Sequence, residues 1–113
     1  MARSGRLVTN GQLRWWYRRL NAAYFGGRLP MPGQLIFRRR MDDLGHTLFF
    51  KVSRQPVVME IALSGTLRSS LDLCLIVLLH EMAHVARPRA GHGPAHKAEI
   101  RRLFRAGAYK NLL

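Results

Sequence analysis

Between Asn10 and Phe25 the apolar residues Leu13, Trp16, Tyr17, Leu20 and Tyr24 recur at steps of three and four, the spacing of one face of an amphipathic helix. Arg14, Arg18 and Arg19 fall largely on the opposite side, with Trp15 exposed beside them. The paired glycines and two prolines of "GGRLPMPG" end this helix, because glycine supplies left-handed geometry at a helix C-terminus and proline cannot continue a helix. Three short stretches rich in β-branched and aromatic residues follow: "QLIFRRR", "HTLFFKV" and "VVMEIALS". The turn-like "MDDLG" and "SRQP" separate them, which predicts a small three-stranded sheet. Ser69 or Ser70 is placed to cap a second helix, "LDLCLIVLLHEMAHVA", that Pro88 stops. Its first half is apolar all round and is expected at the buried centre of the domain. "RPRAG" reads as a loop, and Pro94 suits the first turn of a last helix, "PAHKAEIRRLFRAGAYK", with Ile100, Leu103 and Phe104 facing inward. The order helix, sheet, helix, helix is an α+β arrangement.

The 113 residues fit one domain spanning 1–113, with residues 1–9 expected to be flexible. A hydrophobic share of 48% and a charged share of 22% are those of a soluble globular chain with a packed core. Charge changes that picture: 19 Lys and Arg stand against 6 Asp and Glu, a net +13, and sixteen of the nineteen are arginine. Arginine grips phosphate bidentately and a field of this sign attracts polyanions, so nucleic acid is the leading partner and an anionic membrane surface the next. A merely basic soluble surface is the plain alternative.

Cys74 is the only cysteine, which excludes an intramolecular disulfide and a Cys-x-x-Cys metal pair. Inside "LDLCLIVLL" it reads as a small core residue in a reducing compartment. The longest apolar run, 73–79, is far short of the roughly 20 residues that cross a bilayer. The N-terminus has positive charge without an apolar h-region, so no secretory signal is read, and a cytoplasmic location is expected.

The chemistry concentrates in "HEMAHVARPRAGHGPAH", residues 80–96, which holds four of the five histidines. His80 and His84, four apart on a helix, lie within about 40° of one face with Cβ atoms roughly 5 to 6 Å apart, so both imidazoles can reach one cation. Glu81, turned about 100° around the axis, can hold a metal-activated water without occupying the metal. With five His and three Glu in 113 positions, chance gives H-E-x-x-H with odds of roughly 1 in 200, which favours a metal site over ordinary surface histidines. A hydrolytic zinc wants three protein ligands and one open position. His92 is the best third candidate, because Pro88 and Gly91 let the chain fold back and Gly93 leaves backbone room. His96 competes, and Glu99 is a weaker carboxylate alternative. Candidates for steadying the oxyanion are His96, His46, Tyr109 and nearby arginines.

"LLHEMAHVARPRAGHGPAHK" resembles the active-site segment of the SprT-like metallopeptidases, the family of the DNA-dependent protease Spartan, in which HExxH is followed by a loop and a His-Gly-Pro segment. "LNAAYFGGRLPMPGQLIFRRRMDDLG" is similar to that family's first helix, its "LN…F…LP" turn and first strand, and "EIALS" resembles its strand before the active-site helix. The likeness runs from Leu13 to Phe104. It implies a zincin-like fold with a buried HExxH helix, one Zn2+ held by His80, His84 and His92, Glu81 as general base, and action on proteins bound or crosslinked to DNA. Three departures stand out. Position 96 is His where the family usually has an aromatic residue, which leaves His96 as a packing substitute, a hydrogen-bond donor to a ligand or an oxyanion stabiliser, packing being slightly favoured. With one cysteine there is no Cys-rich zinc ribbon. With an end at Leu113 there is no long tail, and recruitment through such modules is not expected.

The expected function is thus a zinc-dependent endopeptidase in DNA–protein crosslink repair, monomeric, cytoplasmic and nucleoid-associated if the source is bacterial. Two alternatives are a nucleic-acid-binding module whose zinc is purely structural, which a fourth ligand from His96 would favour, and a general minimal zincin acting on small peptides. Nucleic-acid contacts are expected from Arg14, Trp15, Arg18 and Arg19 on the first helix, from Arg38, Arg39 and Arg40 on the first strand, and from Arg101, Arg102 and Arg105 on the last helix. Strand alternation puts Arg38 and Arg40 on one side and Arg39 on the other.

Overall fold

A computed structural model describes residues 6–112. The order of elements is α1 (Asn10–Tyr24), β1 (Gln34–Arg38), β2 (Gly45–Val52), β3 (Gln55–Ser64), a short 3₁₀ turn (Gly65–Ser69), α2 (Leu71–Ala86) and α3 (Pro94–Arg105). The α+β reading holds, with three α-helices and one three-stranded sheet among the described residues.

Each boundary has a local cause. Thr9 opens α1 with a reciprocal cap: its hydroxyl accepts from Gln12 N, and Gln12 Oε1 accepts from Thr9 N. Val8 is buried and its N–H donates to Arg68 O, so the described end of the 1–9 stretch is fastened, while residues 1–5 lie outside the described residues. Gly26 and Gly27 end α1 at φ 64° and 71°, the left-handed geometry that glycine adopts without penalty. The following turn is sewn to α1 by the Asn21 side chain, which bonds both N and O of Leu29, and by Tyr17 OH donating to Pro30 O at 2.6 Å.

Strand order is β1-β3-β2, with β3 central, parallel to β1 and antiparallel to β2. Leu35 pairs with Ile61 and Phe37 with Leu63. Strand β1 ends at Arg38, so Arg39 and Arg40 lie beyond it and the expected alternation of three strand arginines does not apply. The turn between β2 and β3 places both Ser53 and Arg54 at positive φ, 50° and 69°.

Ser70 is the residue that caps α2, its Oγ accepting from Leu73 N, and the helix stops just before Pro88. Cys74, Leu78, Leu79, Met82 and Ala83 are fully buried against Leu13, Tyr17, Ile61, Leu63 and Leu103. The start of α2 is less enclosed than its composition predicts: Leu71 and Leu73 are exposed. Cys74 is a core residue, as expected; burial pushes its thiol up to about 11, and the thiol donates to Leu67 O.

Helix α3 departs from its sequence reading at both ends of its apolar stripe. Its buried residues are His96, Glu99 and Leu103, while Phe104, expected inward, is 61% exposed. Steps of three and four from His96 lead to Glu99 and Leu103, so the buried stripe includes two polar residues that a hydrophobic count passes over. The helix ends at Arg105 rather than near Lys110, because Gly107 turns left-handed at φ 86°. Among the described residues no helix is long and apolar enough to cross a membrane.

Candidate metal centre

Helix α2 runs beside β2 and β3 and delivers His80, Glu81 and His84 to one side of a cleft of about 690 Å³. The other wall is strand β2 with the residues before it, Asp43, Leu44, Gly45, His46, Thr47 and Phe49; Pro88, Gly91 and His92 close the end beyond α2. Ile76 and Val77, one turn before His80, give the cleft an apolar floor.

Four imidazoles gather here, from His80, His84, His92 and His96. His84 is the hub. Its ring stacks on His96 with centroids 3.9 Å apart and planes 16° apart, lies 5.0 Å from His80, and has its Nε2 3.2 Å from His92 Nε2. The three whose ligand atoms all lie within 4.8 Å of one another are His80, His84 and His96, a set that can hold a metal ion. His92, the expected third ligand, is not in this set: its Nε2 lies 3.2 Å from His84 Nε2, and it stands exposed at the cleft, whereas the third place is taken by His96. His96, for which packing was slightly favoured, is buried, and its Nε2 lies 3.4 Å from His80 O.

Burial and the crowd of like groups favour the neutral imidazole at His80 and His84. The imidazole of His84 is pushed down to about 4, first by burial and then by His96, His80 and His92. His80 is lowered for the same reasons. Neutral imidazole is the form that ligates metal, and three nitrogens without thiolate or carboxylate are a donor set that suits zinc, copper, iron or nickel.

Glu81 is 4% exposed, and among the described residues no lysine or arginine lies within ion-pair distance of it. Its Oε1 accepts from Thr47 Oγ1 at 2.8 Å. Burial raises its carboxyl above the ordinary glutamate value, the Thr47 bond only partly opposing this. Gly45 makes room for the carboxylate: a Cβ there would lie 3.2 Å from Glu81 Oε2 and 2.8 Å from Val77 Cγ1.

Several residues singled out in the sequence are occupied elsewhere. Glu99, the carboxylate alternative, is bound through both oxygens by Arg102, at 3.0 and 2.6 Å. His46 bonds Glu60 through Nε2 at 2.6 Å, yet it also lines the cleft, and its charge is one of the influences that oppose the rise of the Glu81 carboxyl. Tyr109 is buried beside Phe104, with ring centroids 5.8 Å apart, and is not among the residues lining the cleft. Arg38 is engaged by Glu60. Of the expected nucleic-acid residues, Arg14, Arg18 and Arg19 line the exposed side of α1, where Arg19 sits over the half-exposed Trp15 ring at 4.8 Å; Arg40, Arg101 and Arg105 are also exposed. Arg38 and Arg102, by contrast, have their guanidinium groups committed to carboxylates.

Sequence reasoning missed Thr47, Gly45 and the Arg38–Glu60–His46 group. Nothing in the linear pattern of β2 distinguishes Thr47 from any strand threonine; its role follows from register against α2. The four-residue step from His92 to His96 was a usable signal, the same spacing that marks His80 and His84. No protein-family model, curated protein or solved structure matches this chain.

Proposed function

We propose that this chain is a zinc-dependent endopeptidase of zincin-like, SprT-like type that acts on proteins held on DNA. The observation that carries the reading is Glu81: a buried carboxylate with no lysine or arginine at ion-pair distance among the described residues, fixed by Thr47 at the wall of an open cleft, next to His80 and three residues before His84. A charge is costly in such a place unless chemistry or a metal justifies it.

A divalent ion at the histidines would supply Lewis-acid polarisation of a carbonyl and acidify a water. Glu81 provides the proton traffic. With Oε1 engaged by Thr47, Oε2 is the oxygen that takes a proton from the attacking water and returns it to the leaving amine. The raised carboxyl suits this dual task, since a base that must later act as an acid works best when its pKa lies nearer the operating pH. Strand β2 supplies the substrate's track. It is an edge strand, so its free backbone groups beside Gly45, Thr47 and Phe49 can pair with an extended peptide laid along the cleft.

The DNA part of the reading rests on the net charge of +13 and on exposed arginines on α1 and α3. The test of the chemistry is a zinc-loaded Glu81→Gln variant: one zinc per chain with casein or histone cleavage lost. Undiminished cleavage would remove the general base. For DNA, the logarithm of affinity should fall with the logarithm of salt at about 0.9 per phosphate contact, and a flat response would discard nucleic acid as the partner.

One observation favours a second reading. Four clustered imidazoles can close a tetrahedral ion entirely, as in a structural zinc site of a nucleic-acid-binding module. In that case zinc would be bound and Glu81→Gln would change nothing but stability.

A further inference from the structure

The four imidazoles are not equivalent in how they are mounted. His92 is exposed, faces the cleft and belongs to the connection between α2 and α3, where Pro88 follows the end of one helix and Gly91 takes a left-handed φ of 53°. His96 is 2% exposed, sits inside the first turn of α3 behind the cleft and is clamped face to face against His84. Its hydrogen bond to His80 O is long at 3.4 Å, a poor match for a buried ring that needs a partner at its nitrogen. Yet its ligand atom, with those of His80 and His84, belongs to the set lying mutually within 4.8 Å. His92 approaches from the cleft side, 3.2 Å from His84 Nε2. Two nitrogens on one tetrahedral ion at about 2.0–2.1 Å lie roughly 3.3 Å apart, so this spacing also fits joint ligation.

We propose that His96 is a metal ligand, the third fixed one beside His80 and His84, and that His92 is a displaceable fourth ligand closing the ion on its cleft side until substrate arrives. The proposal rests on the metallohydrolase reading above and exchanges the roles which the SprT-like resemblance gives to positions 92 and 96. It also reconciles four histidines with hydrolysis. The corner a hydrolytic site leaves to water is then the one His92 covers, it faces the cleft, and its occupant is carried by a bend rather than by a helix. Departure of His92 frees that corner without disturbing the three nitrogens held by α2 and α3. A closed ion is thereby kept from casual hydrolysis, and a polypeptide entering between β2 and the 87–93 connection is what would push His92 aside.

The test uses the full chain with cobalt(II) as the probe and compares wild type, His92→Ala, His96→Phe and the double variant. His96→Phe keeps an aromatic ring against His84 while removing the nitrogens. It should weaken cobalt binding by more than about 100-fold, beyond the roughly 10- to 100-fold that loss of a partner outside the ligand set costs. His92→Ala should weaken binding by about 10-fold or less, still with one ion per chain, and should make the cobalt visible bands shift on adding azide at concentrations that leave wild type unchanged. The opposite pattern, with His96→Phe within about threefold of wild type and His92→Ala losing more than about 100-fold, would overturn the proposal and leave His96 a packing residue. If His96→Phe fails to fold, cobalt-loaded wild type still decides: four hyperfine-shifted imidazole N–H protons are expected in its proton spectrum, and three would refute the closed state. A wild-type chain that binds neither cobalt nor zinc would instead bring down the metallohydrolase reading itself.

Discussion

Glu60 and Glu81 are both buried glutamates with histidine nearby, yet their surroundings are opposites. Glu60, on the central strand, receives Arg38 from one neighbouring strand, at 3.2 and 2.5 Å, and His46 from the other at 2.6 Å. The Arg38 hydrogen bonds hold its carboxyl below the ordinary range, against the effect of burial. Glu81, on α2, has a hydrogen bond from Thr47 and only the weaker influence of His46 and His92 beside it, and burial drives its carboxyl up. Glu99, the third glutamate, follows the Glu60 pattern, with Arg102 holding it down. In a chain with sixteen arginines, a buried carboxylate that no arginine among the described residues pairs with is informative. A carboxylate bonded by arginine serves the fold, whereas one buried beside a histidine cluster without such a partner is suited to moving protons.

That contrast is sharpest in the paired variants Glu81→Gln and Glu60→Gln. The first should lower peptide cleavage by about 10²- to 10⁴-fold with zinc retained, the range that general acid–base catalysis supplies. The second should cleave within a fewfold of wild type and unfold at lower urea, because it strips Arg38 and His46 of their carboxylate partner. Equal loss of cleavage in both would erase the distinction between them.

The next effect comes from Gly45→Ala, whose Cβ would press on Val77 Cγ1 and Glu81 Oε2. Overpacking of this kind costs about 1–3 kcal/mol, so a lowered urea midpoint together with reduced cleavage is expected, and an unchanged midpoint would mean the site has slack. Thr47→Val is milder. It removes the one hydrogen bond on Glu81 Oε1 at nearly constant volume, which should cost about 1–3 kcal/mol in stability and shift the acid limb of the cleavage profile to higher pH.

Smallest, and opposite in sign, are the two contributions to pH-dependent stability in chelator-treated protein. Glu60, with its folded value lowered, stabilises above the ordinary glutamate value, and that contribution is lost as pH falls through its folded value. Glu81, with its folded value raised, favours the fold below the ordinary value, and that advantage is lost as pH rises through its folded value. Stability curves measured by urea titration from acid to neutral pH should therefore lose their acid-side drop in Glu60→Gln and gain stability at neutral pH in Glu81→Gln. Parallel curves for the two variants would contradict the assignment.

Much of this fold was legible because its elements end on strong local signals. Gly26–Gly27, Ser70, Pro88 and Pro94 fall where the chain turns, and the stripe of Leu13, Tyr17 and Leu20 is the buried side of α1. The grouping of four histidines within residues 80–96 was visible as well, because two four-residue steps are separated by a breakable connection. What stayed hidden depends on register. Thr47 reaches Glu81 only because β2 runs antiparallel beside β3 under α2, and the Arg38–Glu60–His46 group needs three strands in the order β1-β3-β2. The inward side of α3 was misjudged because its buried positions include His96, which stacks on His84 of α2, and Glu99, which Arg102 neutralises one turn along the same helix.

At the far end of the β2–β3 turn, Arg89 donates to the backbone carbonyl of Arg54 at 3.3 Å, joining the hairpin tip to the stretch that bears His92. The hydrogen bond therefore ties the β2–β3 turn to the connection whose Pro88, Gly91 and His92 line the cleft. Because it grips a backbone carbonyl, any change at position 89 removes it, whereas a replacement at 54 must suit that residue's left-handed φ of 69°.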